Sequence, residues 1–315
     1  MKDTILFTGG SGLLSVCWSR YIYRHFNVCL ALHERYIALP GITCLKLDLH
    51  SFDSIIASFK EIKPDYVVNT AALTNVEYCE INHEHAFHVN TSLAVNIAKA
   101  CDLLGIKLIH ISTDHIFDGL SSFYTEDSKP NPLNVYGTTK LEAEIGIQDI
   151  SNNYLIIRTN FFDIGTAYRR SFSDWIAASL YNHEYIDLFE DIYYTPIHVL
   201  YLVRYIHQLL TFNLTGIFNV VGPERLSKYQ FGVKLAHKFS LNPNLIQPIS
   251  INDRSDLTTR PRDMSLDNAK IKKIISDNSL LSDHLSLLYH FSASNIKDHD
   301  FIKNFIQSTE ILDQP

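Results

Sequence analysis

Thr4-Ile5-Leu6-Phe7-Thr8-Gly9-Gly10-Ser11-Gly12-Leu13-Leu14-Ser15 decides the fold. A short extended run passes straight into a glycine-rich turn, and the turn opens a helical pattern carrying Trp18, Tyr21, Ile22 and Phe26. Gly9 permits the tight turn. Gly12 lets the backbone approach a pyrophosphate at the positive end of the helix, and Leu13 and Leu14, which open that helix, are expected at the same phosphates. Ser15 stands where the usual fingerprint has a third glycine, a position that serves close packing of helix on strand.

Working outward, the same alternation of short Ile/Val/Leu runs with longer amphipathic stretches continues to about residue 160, the pattern of a parallel sheet covered by helices. Six strands are predicted near Thr4 to Thr8, Val28 to Leu32, Thr43 to Leu47, Tyr66 to Thr70, Lys107 to Ser112 and Tyr154 to Arg158. Beyond Arg158 the rhythm loosens. Helical patterns near Ser171 to Asn182, Ile197 to Leu210, Ser227 to Phe239 and Ser282 to Phe291 are broken by strands near Ile186 to Phe189, Gly216 to Val220 and Leu245 to Ile251. The expected fold is α/β: a Rossmann doubly wound parallel sheet in residues 1–165, rejoined by about 190–220, with a smaller C-terminal α/β substrate lobe in 166–315.

Bulk composition agrees. With 315 residues, 46% hydrophobic and 19% charged, the chain has material for a large core and is neither disordered nor fibrous. A net charge of -7 and the lack of a basic run argue against nucleic acid as a ligand. The N-terminal apolar stretch is too short for a signal peptide and no segment is long enough to span a bilayer, so a cytoplasmic protein without membrane partners is expected. Five cysteines without a C-x-x-C pair suggest neither a disulfide framework nor a zinc knuckle, only reduced, mostly buried thiols. Whether the chain forms a homodimer stays open.

The second strand ends Leu32-His33-Glu34-Arg35. An acid at the strand end would bond a ribose 2'-hydroxyl and select NAD, whereas basic groups would hold the extra phosphate of NADP. Glu34 is displaced past the strand end and flanked by His33 and Arg35, which favours NADP(H) and leaves NAD(H) open.

Tyr136 and Lys140 sit four apart, which on a helix puts both on one face. A nearby ammonium favours a phenolate, so Lys140 is expected to lower the Tyr136 pKa and make the phenol a usable acid at neutral pH. The spacing alone proves little in a chain with 17 tyrosines. Its location decides, since it lies one strand, loop and helix beyond Thr113, at the carboxyl end of the fifth predicted strand, where ligands bind in doubly wound sheets.

Three runs then become specific: His110-Ile111-Ser112-Thr113-Asp114-His115-Ile116-Phe117-Asp118-Gly119, Pro132-Leu133-Asn134-Val135-Tyr136-Gly137 and Lys140-Leu141-Glu142. Together with Asn69-Thr70-Ala71-Ala72 and Val89-Asn90, they make the chain resemble the dTDP-4-dehydrorhamnose reductases, a branch of the extended short-chain dehydrogenases/reductases. The likeness covers residues 1–165 well and continues thinly through Arg158-Thr159, Thr195-Pro196 and Arg260-Pro261. It implies an NAD(P)H-dependent reductase of a nucleotide-linked 4-keto sugar with Thr113, Tyr136 and Lys140 as catalytic residues. It also implies cofactor contacts from Asp48, Leu49, Thr70, Ala71, Ala72 and Asn90, besides Tyr136 and Lys140 themselves. Thr74, His115, Asn160, Phe161, Arg260 and Arg262 would face the nucleotide sugar. Two departures, His115 where that family has tyrosine and Asn160 where serine is common, fall near the sugar pocket and put the rhamnose precursor in question. A sugar-nucleotide epimerase or dehydratase uses the same triad. A non-catalytic subunit resembling the regulatory β subunit of methionine adenosyltransferase is the alternative from another class.

His83, His85 and His88 form a cluster without the ligands that would complete a metal site, so no metal is expected. Trp175, Tyr193 and Tyr194 are either stacking platforms or core.

Overall fold

The computed structural model describes residues 2–166, 168–275 and 279–293; the last part of the lobe expected over 166–315 lies outside the described residues. Six strands form where the short apolar runs predict them: β1 (Thr4–Phe7), β2 (Asn27–Leu32), β3 (Thr43–Lys46), β4 (Tyr66–Asn69), β5 (Lys107–Ile111) and β6 (Tyr154–Arg158). A seventh, Gly216–Asn219, pairs with β6, giving the order Gly216–Asn219, β6, β5, β4, β1, β2, β3. Every pairing in this sheet is parallel. The order reverses between β1 and β4, and the crevice above that point is where such sheets take ligands.

Alternation along the strands feeds two layers. Ile5, Phe7, Ile109 and Ile111 face a core shared with helix α1 (Leu13–Ile22) and helix Val199–Thr211. Leu6, Val67, Leu108 and Ile156 face the helices Phe52–Ile62, Leu93–Leu104 and Val135–Ile150. Both faces are covered, so the strands read as nearly continuous apolar runs.

The chain returns to the sheet after leaving it. Trp18 of α1 is fully buried, packs edge-on against Phe7 at 5.3 Å and donates through Nε1 to His207 Nε2 at 3.0 Å. Burial pushes the His207 imidazole down to about 4. A neutral ring is what an acceptor for the indole requires.

The predicted helix at Ile197 starts two residues late. Ile197–His198 pairs with Phe161–Phe162 as a short parallel bridge, and the His198 ring caps the helix by accepting from Leu200 N. Two further short pairs complete the smaller lobe: Ile186–Phe189 with Ile246–Ile249, parallel, and Tyr193–Tyr194 with Leu226–Ser227, antiparallel. Its own core gathers Phe162, Ile176, Leu188, Tyr194, Phe231 and Leu235. The strand expected over Leu245 to Ile251 is confined to its middle, because turns take Pro243–Leu245 and Ile251–Asp253.

The helix Val135–Ile150 is fixed to the sheet by a buried ion pair, Arg158 of β6 to Glu144 at 2.8 Å, with the Ser112 hydroxyl also on Glu144. Both charges are at most 3% exposed, so removing one partner would strand the other in the interior. Among the described residues, no helix is long and apolar enough to cross a membrane, and no group of three or more His, Cys, Asp or Glu is arranged to hold a metal. His85 bonds Tyr78, and His83 opens a short helix.

Candidate active site

A cleft of about 560 Å³ opens at the carboxyl edge of β1, β4 and β5. It is lined on one side by the glycine turn and on the other by the smaller lobe. Gly9 has φ +73°, and a Cβ there would lie 2.9 Å from Ala71 backbone atoms. Gly10, which the sequence left without a role, is pressed against β2: a Cβ would meet Leu30 at 2.7 Å, and its amide donates to Ala31 O. Gly12 differs. Only Gly9 O, at 3.1 Å, stands near a Cβ there, and the rest of the space is open cleft.

Gly12 caps α1 without any side-chain bond, and the first turn holds no acid. By contrast, helix Phe52–Ile62 is closed by the Ser51 capping box. The first amides of α1 and its positive dipole end therefore face the cleft unspent, a fit for the pyrophosphate of a dinucleotide. Ser15, in place of a third glycine, bonds the Thr70 hydroxyl at 2.6 Å and so ties α1 to the loop after β4.

Thr113 follows β5. Its hydroxyl reaches Asp114 Oδ1 and lies within hydrogen-bonding reach of Tyr136 on the facing helix, whose N-cap is Asn134. Burial pushes the Tyr136 phenol up to about 12, while the neighbouring Thr113 hydroxyl draws it partly back. Lys140 shares that helix face, but its amine turns down into the sheet, 2.7 Å from Ile111 O and 3.2 Å from His110 Nε2. Burial brings it down to about 8. The Lys140 amine, expected beside the phenol, is turned here to Ile111 O and His110. Helical spacing fixes a face, and rotamers and partners decide where a long side chain ends.

The cleft brings together Gly9, Gly12, Leu13, Leu14, Thr70, Ala71, Ala72, Thr74, Thr113, His115, Tyr136, Lys140, Asn160 and Phe161. The other expected residues lie outside it. Asn90 sits behind the site, its amide clamping Leu73 N and O and the Thr139 hydroxyl. Asp48 lies past the end of β3, exposed, and accepts from His50 N; Leu49 packs on the core beside β3. His33 stacks edge-on against His50. Arg35 lies 4.3 Å above the Tyr168 ring, and Tyr168 donates to Ser11 O, closing one edge of the turn. Arg260 pairs with Glu77, and Arg262 with Asn252 and Asp191.

Several lining residues were not singled out from the sequence. Asp114 accepts from Asn160 Nδ2 at 2.7 Å, which gives Asn160 a positioning bond. Lys228 opens helix Lys228–Lys238 behind the Ser227–Gln230 capping box and rests 3.3 Å over the Tyr194 ring. That capping box is readable in sequence, but not the wall its first residue faces. Tyr194 lines the cleft with a buried, unpartnered hydroxyl, whereas Tyr193 lies under Arg225 and Trp175 stacks on Phe172.

Relatives agree with this geometry. Residues 1–280 match the RmlD substrate binding domain family. The chain is 29% identical over 269 residues to a probable low-salt glycan biosynthesis reductase, Agl14, of Haloferax volcanii, spanning 84% of this chain and 90% of that one. It is also 29% identical to methionine adenosyltransferase 2 subunit beta of Xenopus laevis, over 85% of this chain and 81% of the other. A solved structure of a hypothetical dTDP-4-dehydrorhamnose reductase from Sulfolobus tokodaii superposes with TM-score 0.79 at 32% identity, covering 90% and 99% of the two chains. The dTDP-4-dehydrorhamnose reductase of Bacillus anthracis, in complex with NADP, shares the fold at TM-score 0.80 and 24% identity, over 92% and 100%. The chain belongs to the RmlD substrate binding domain family.

Proposed function

We propose that the chain is an NAD(P)H-dependent reductase of a nucleotide-linked 4-keto sugar, with NADPH the favoured cofactor. One observation carries the reading: the Tyr136 phenol, with Thr113 beside it, stands across a single cleft from an uncapped helix N-terminus. Bound there, the nicotinamide supplies the hydride. Thr113 donates to the substrate carbonyl and fixes it beside the phenol. Tyr136 gives its proton to the oxygen as the carbon is reduced. Its raised pKa suits that direction, because the phenol is fully protonated at neutral pH and an alkoxide is a stronger base still. Lys140 lines the same cleft, and its amine would hold the ribose hydroxyls once the cofactor is bound. His115, Asn160, Phe161 and Thr74 line the sugar side, with Asp114 holding Asn160 in place.

NADP is the ligand in the Bacillus anthracis structure, while a dTDP-glucose 4,6-dehydratase of the same fold from Streptomyces venezuelae holds NAD. Arg35 and His33 at the end of β2 support the phosphate-bearing form. The likeness to the methionine adenosyltransferase β subunits supports a second reading, a cofactor-binding regulatory subunit. Incubating the protein with NADPH and a panel of nucleotide-linked keto sugars, and following the loss of reduced-nicotinamide absorbance, separates them. Stoichiometric NADPH consumption is the expected result. Tight NADPH binding without turnover on any sugar would overturn the reductase reading.

A further inference from the structure

Asn160 follows β6 and lines the cleft, its backbone pinned where Ile197 N donates to Asn160 O at 3.0 Å. Its side-chain amide donates through Nδ2 to Asp114 Oδ2 at 2.7 Å. The other oxygen of that carboxylate, Oδ1, takes the Thr113 hydroxyl at 3.2 Å. Asp114 is 1% exposed, so both bonds form away from competing water. One buried carboxylate thus joins Thr113, the group that would fix the carbonyl, to a side chain with no part in the proton or hydride steps.

Donor bookkeeping sets what Asn160 offers. A carboxylate oxygen can only accept, so the NH2 of the amide faces Asp114 and the carbonyl Oδ1 faces the other way. Among the described residues Oδ1 receives no hydrogen bond. The cleft therefore meets a fixed acceptor. It cannot turn into a donor without leaving the buried carboxylate short of a partner. Lys228 and Arg170, which line the same cleft, are of the opposite kind and can only donate.

Place decides which substituent this acceptor meets. From the Thr113 hydroxyl, two hydrogen bonds through the carboxylate lead to the Asn160 amide. A second path of comparable length would run from the same hydroxyl through a ketone oxygen and the substituent on the next ring carbon to Oδ1. In a 4-keto hexose the carbons beside the ketone are C3 and C5. C5 carries only the ring oxygen and the exocyclic carbon, so C3 is the one whose substituent can donate.

We propose that Asn160 is a specificity-determining residue whose Oδ1 accepts a hydrogen bond from the C3 substituent of the keto sugar, so that substrates carry a donor, a hydroxyl or an amine, beside the ketone. Asp114 is the positioning residue that fixes the amide. The inference rests on the reductase reading of the cleft and adds to it the class of sugar that is taken.

The test is calorimetric binding to the full chain with NADPH present, using dTDP- and UDP-linked 6-deoxyglucose, whose C4 is already reduced, and their 3-deoxy-3-fluoro and 2-deoxy-2-fluoro analogues. Fluorine keeps the size of the hydroxyl and cannot donate. In wild type the C3 exchange should weaken binding by about tenfold or more. In Asn160→Leu that penalty should shrink to about twofold or less, while the C2 exchange costs wild type and variant alike. Asn160→Ser, the residue common at this position in the resembling reductases, supplies a rotatable hydroxyl that can donate to fluorine, so it too should narrow the C3 gap. A C3 fluoride bound as tightly as the hydroxyl by wild type overturns the proposal. So does a C3 penalty that persists undiminished in both variants. Turnover is scored separately with the keto sugars: coupling at C3 without NADPH oxidation sinks the reductase reading and leaves this one, turnover without coupling does the reverse, and binding of neither nucleotide sugar overturns both.

Discussion

The two ends of the cleft spend their polar groups differently. At the glycine-turn end nearly every side chain is already committed: Ser15 to Thr70, Thr8 to Asn69, and Lys140 to His110 and Ile111 O. At the lobe end His115 Nδ1, Thr159 Oγ1 and Tyr194 Oη are buried without hydrogen-bond partners among the described residues, and the Lys228 amine rests over the Phe172 and Tyr194 rings. An unpaired buried polar atom costs about 1–3 kcal/mol, which a fold tolerates mainly where a ligand will make the bond. The parallel sheet fixes its groups in register and can preorganise them. The lobe end is assembled from loops and two-residue strands, and leaves polar atoms unbonded. On the proposed reading, the first end holds the constant cofactor and the second meets the sugar.

The largest expected effect lies where the ends meet. Tyr136→Phe keeps the ring and its packing against His115 but loses the proton, so single-turnover reduction should fall by about a hundredfold or more with NADPH affinity unchanged. Reduction at the wild-type rate would remove Tyr136 from the chemistry altogether.

Between the two regions lies Asp163, 2% exposed, bonded by Tyr21 of α1 at 2.9 Å and facing His198 at 3.5 Å. Burial pushes its carboxyl up to about 7 and pushes His198 down to about 3. At that distance the two are neighbouring neutral groups rather than an ion pair. The folded carboxyl holds a proton that the unfolded chain releases near pH 4, so its contribution is fully present below about pH 4 and is lost as pH rises through about 7. That loss is about 2–4 kcal/mol. His198 and His207 are depressed on folding and act in the opposite sense, gaining stability as pH rises, so the total profile alone decides nothing. The difference between wild type and Asp163→Asn does. Urea midpoints at pH 5 and pH 8 should show the variant gaining on wild type at the higher pH, and equal differences at both values would mean that Asp163 is ionised in the fold.

Lys228→Met tests the unspent end directly. It keeps the length over Tyr194 and removes the charge, so KM for the keto sugar should rise about tenfold while NADPH affinity and Tm stay put. A matching loss of NADPH affinity would assign this ammonium to the cofactor and erase the distinction between the two ends.

How much of this was legible follows the same divide. The main sheet was readable because its strands are apolar on both faces and its first turn spends three glycines, Gly9 and Gly10 on tight backbone contacts and Gly12 on open space. The helix Val199–Thr211 and the strand Gly216–Asn219 were also readable as elements from periodicity. Pairs such as Phe161–Phe162 with Ile197–His198 were not, because two residues carry no period, and the apolar run through Ile197 mimics a helix that His198 in fact caps. Side-chain direction was the other blind spot. Spacing placed Lys140 beside Tyr136, yet His110, read only as part of a motif, takes its amine. Arg260 and Arg262, placed by resemblance at the sugar, are held by Glu77 and by Asn252 and Asp191.

The smallest expected effect is at the outer rim of the committed end. Arg35 is exposed, stacked on Tyr168, which in turn bonds the glycine turn through Ser11 O. A 2'-phosphate arriving at the end of β2 would meet a guanidinium already held flat, so little side-chain entropy remains to be lost on binding. Removing it with Arg35→Ala should weaken NADPH by about three- to tenfold and leave NADH nearly untouched, because only the former carries the charge to grip. Exposure makes the contact a screened one, so the gap between the two cofactors should narrow as salt is raised from about 50 mM to about 500 mM. Arg35→Lys should recover part of it, since charge survives and the planar stack on Tyr168 does not. Calorimetric titration of both cofactors into the three proteins settles the point. Equal losses for NADH and NADPH would show that Arg35 serves the turn through Tyr168 alone, and cofactor choice would then have to be sought at His33.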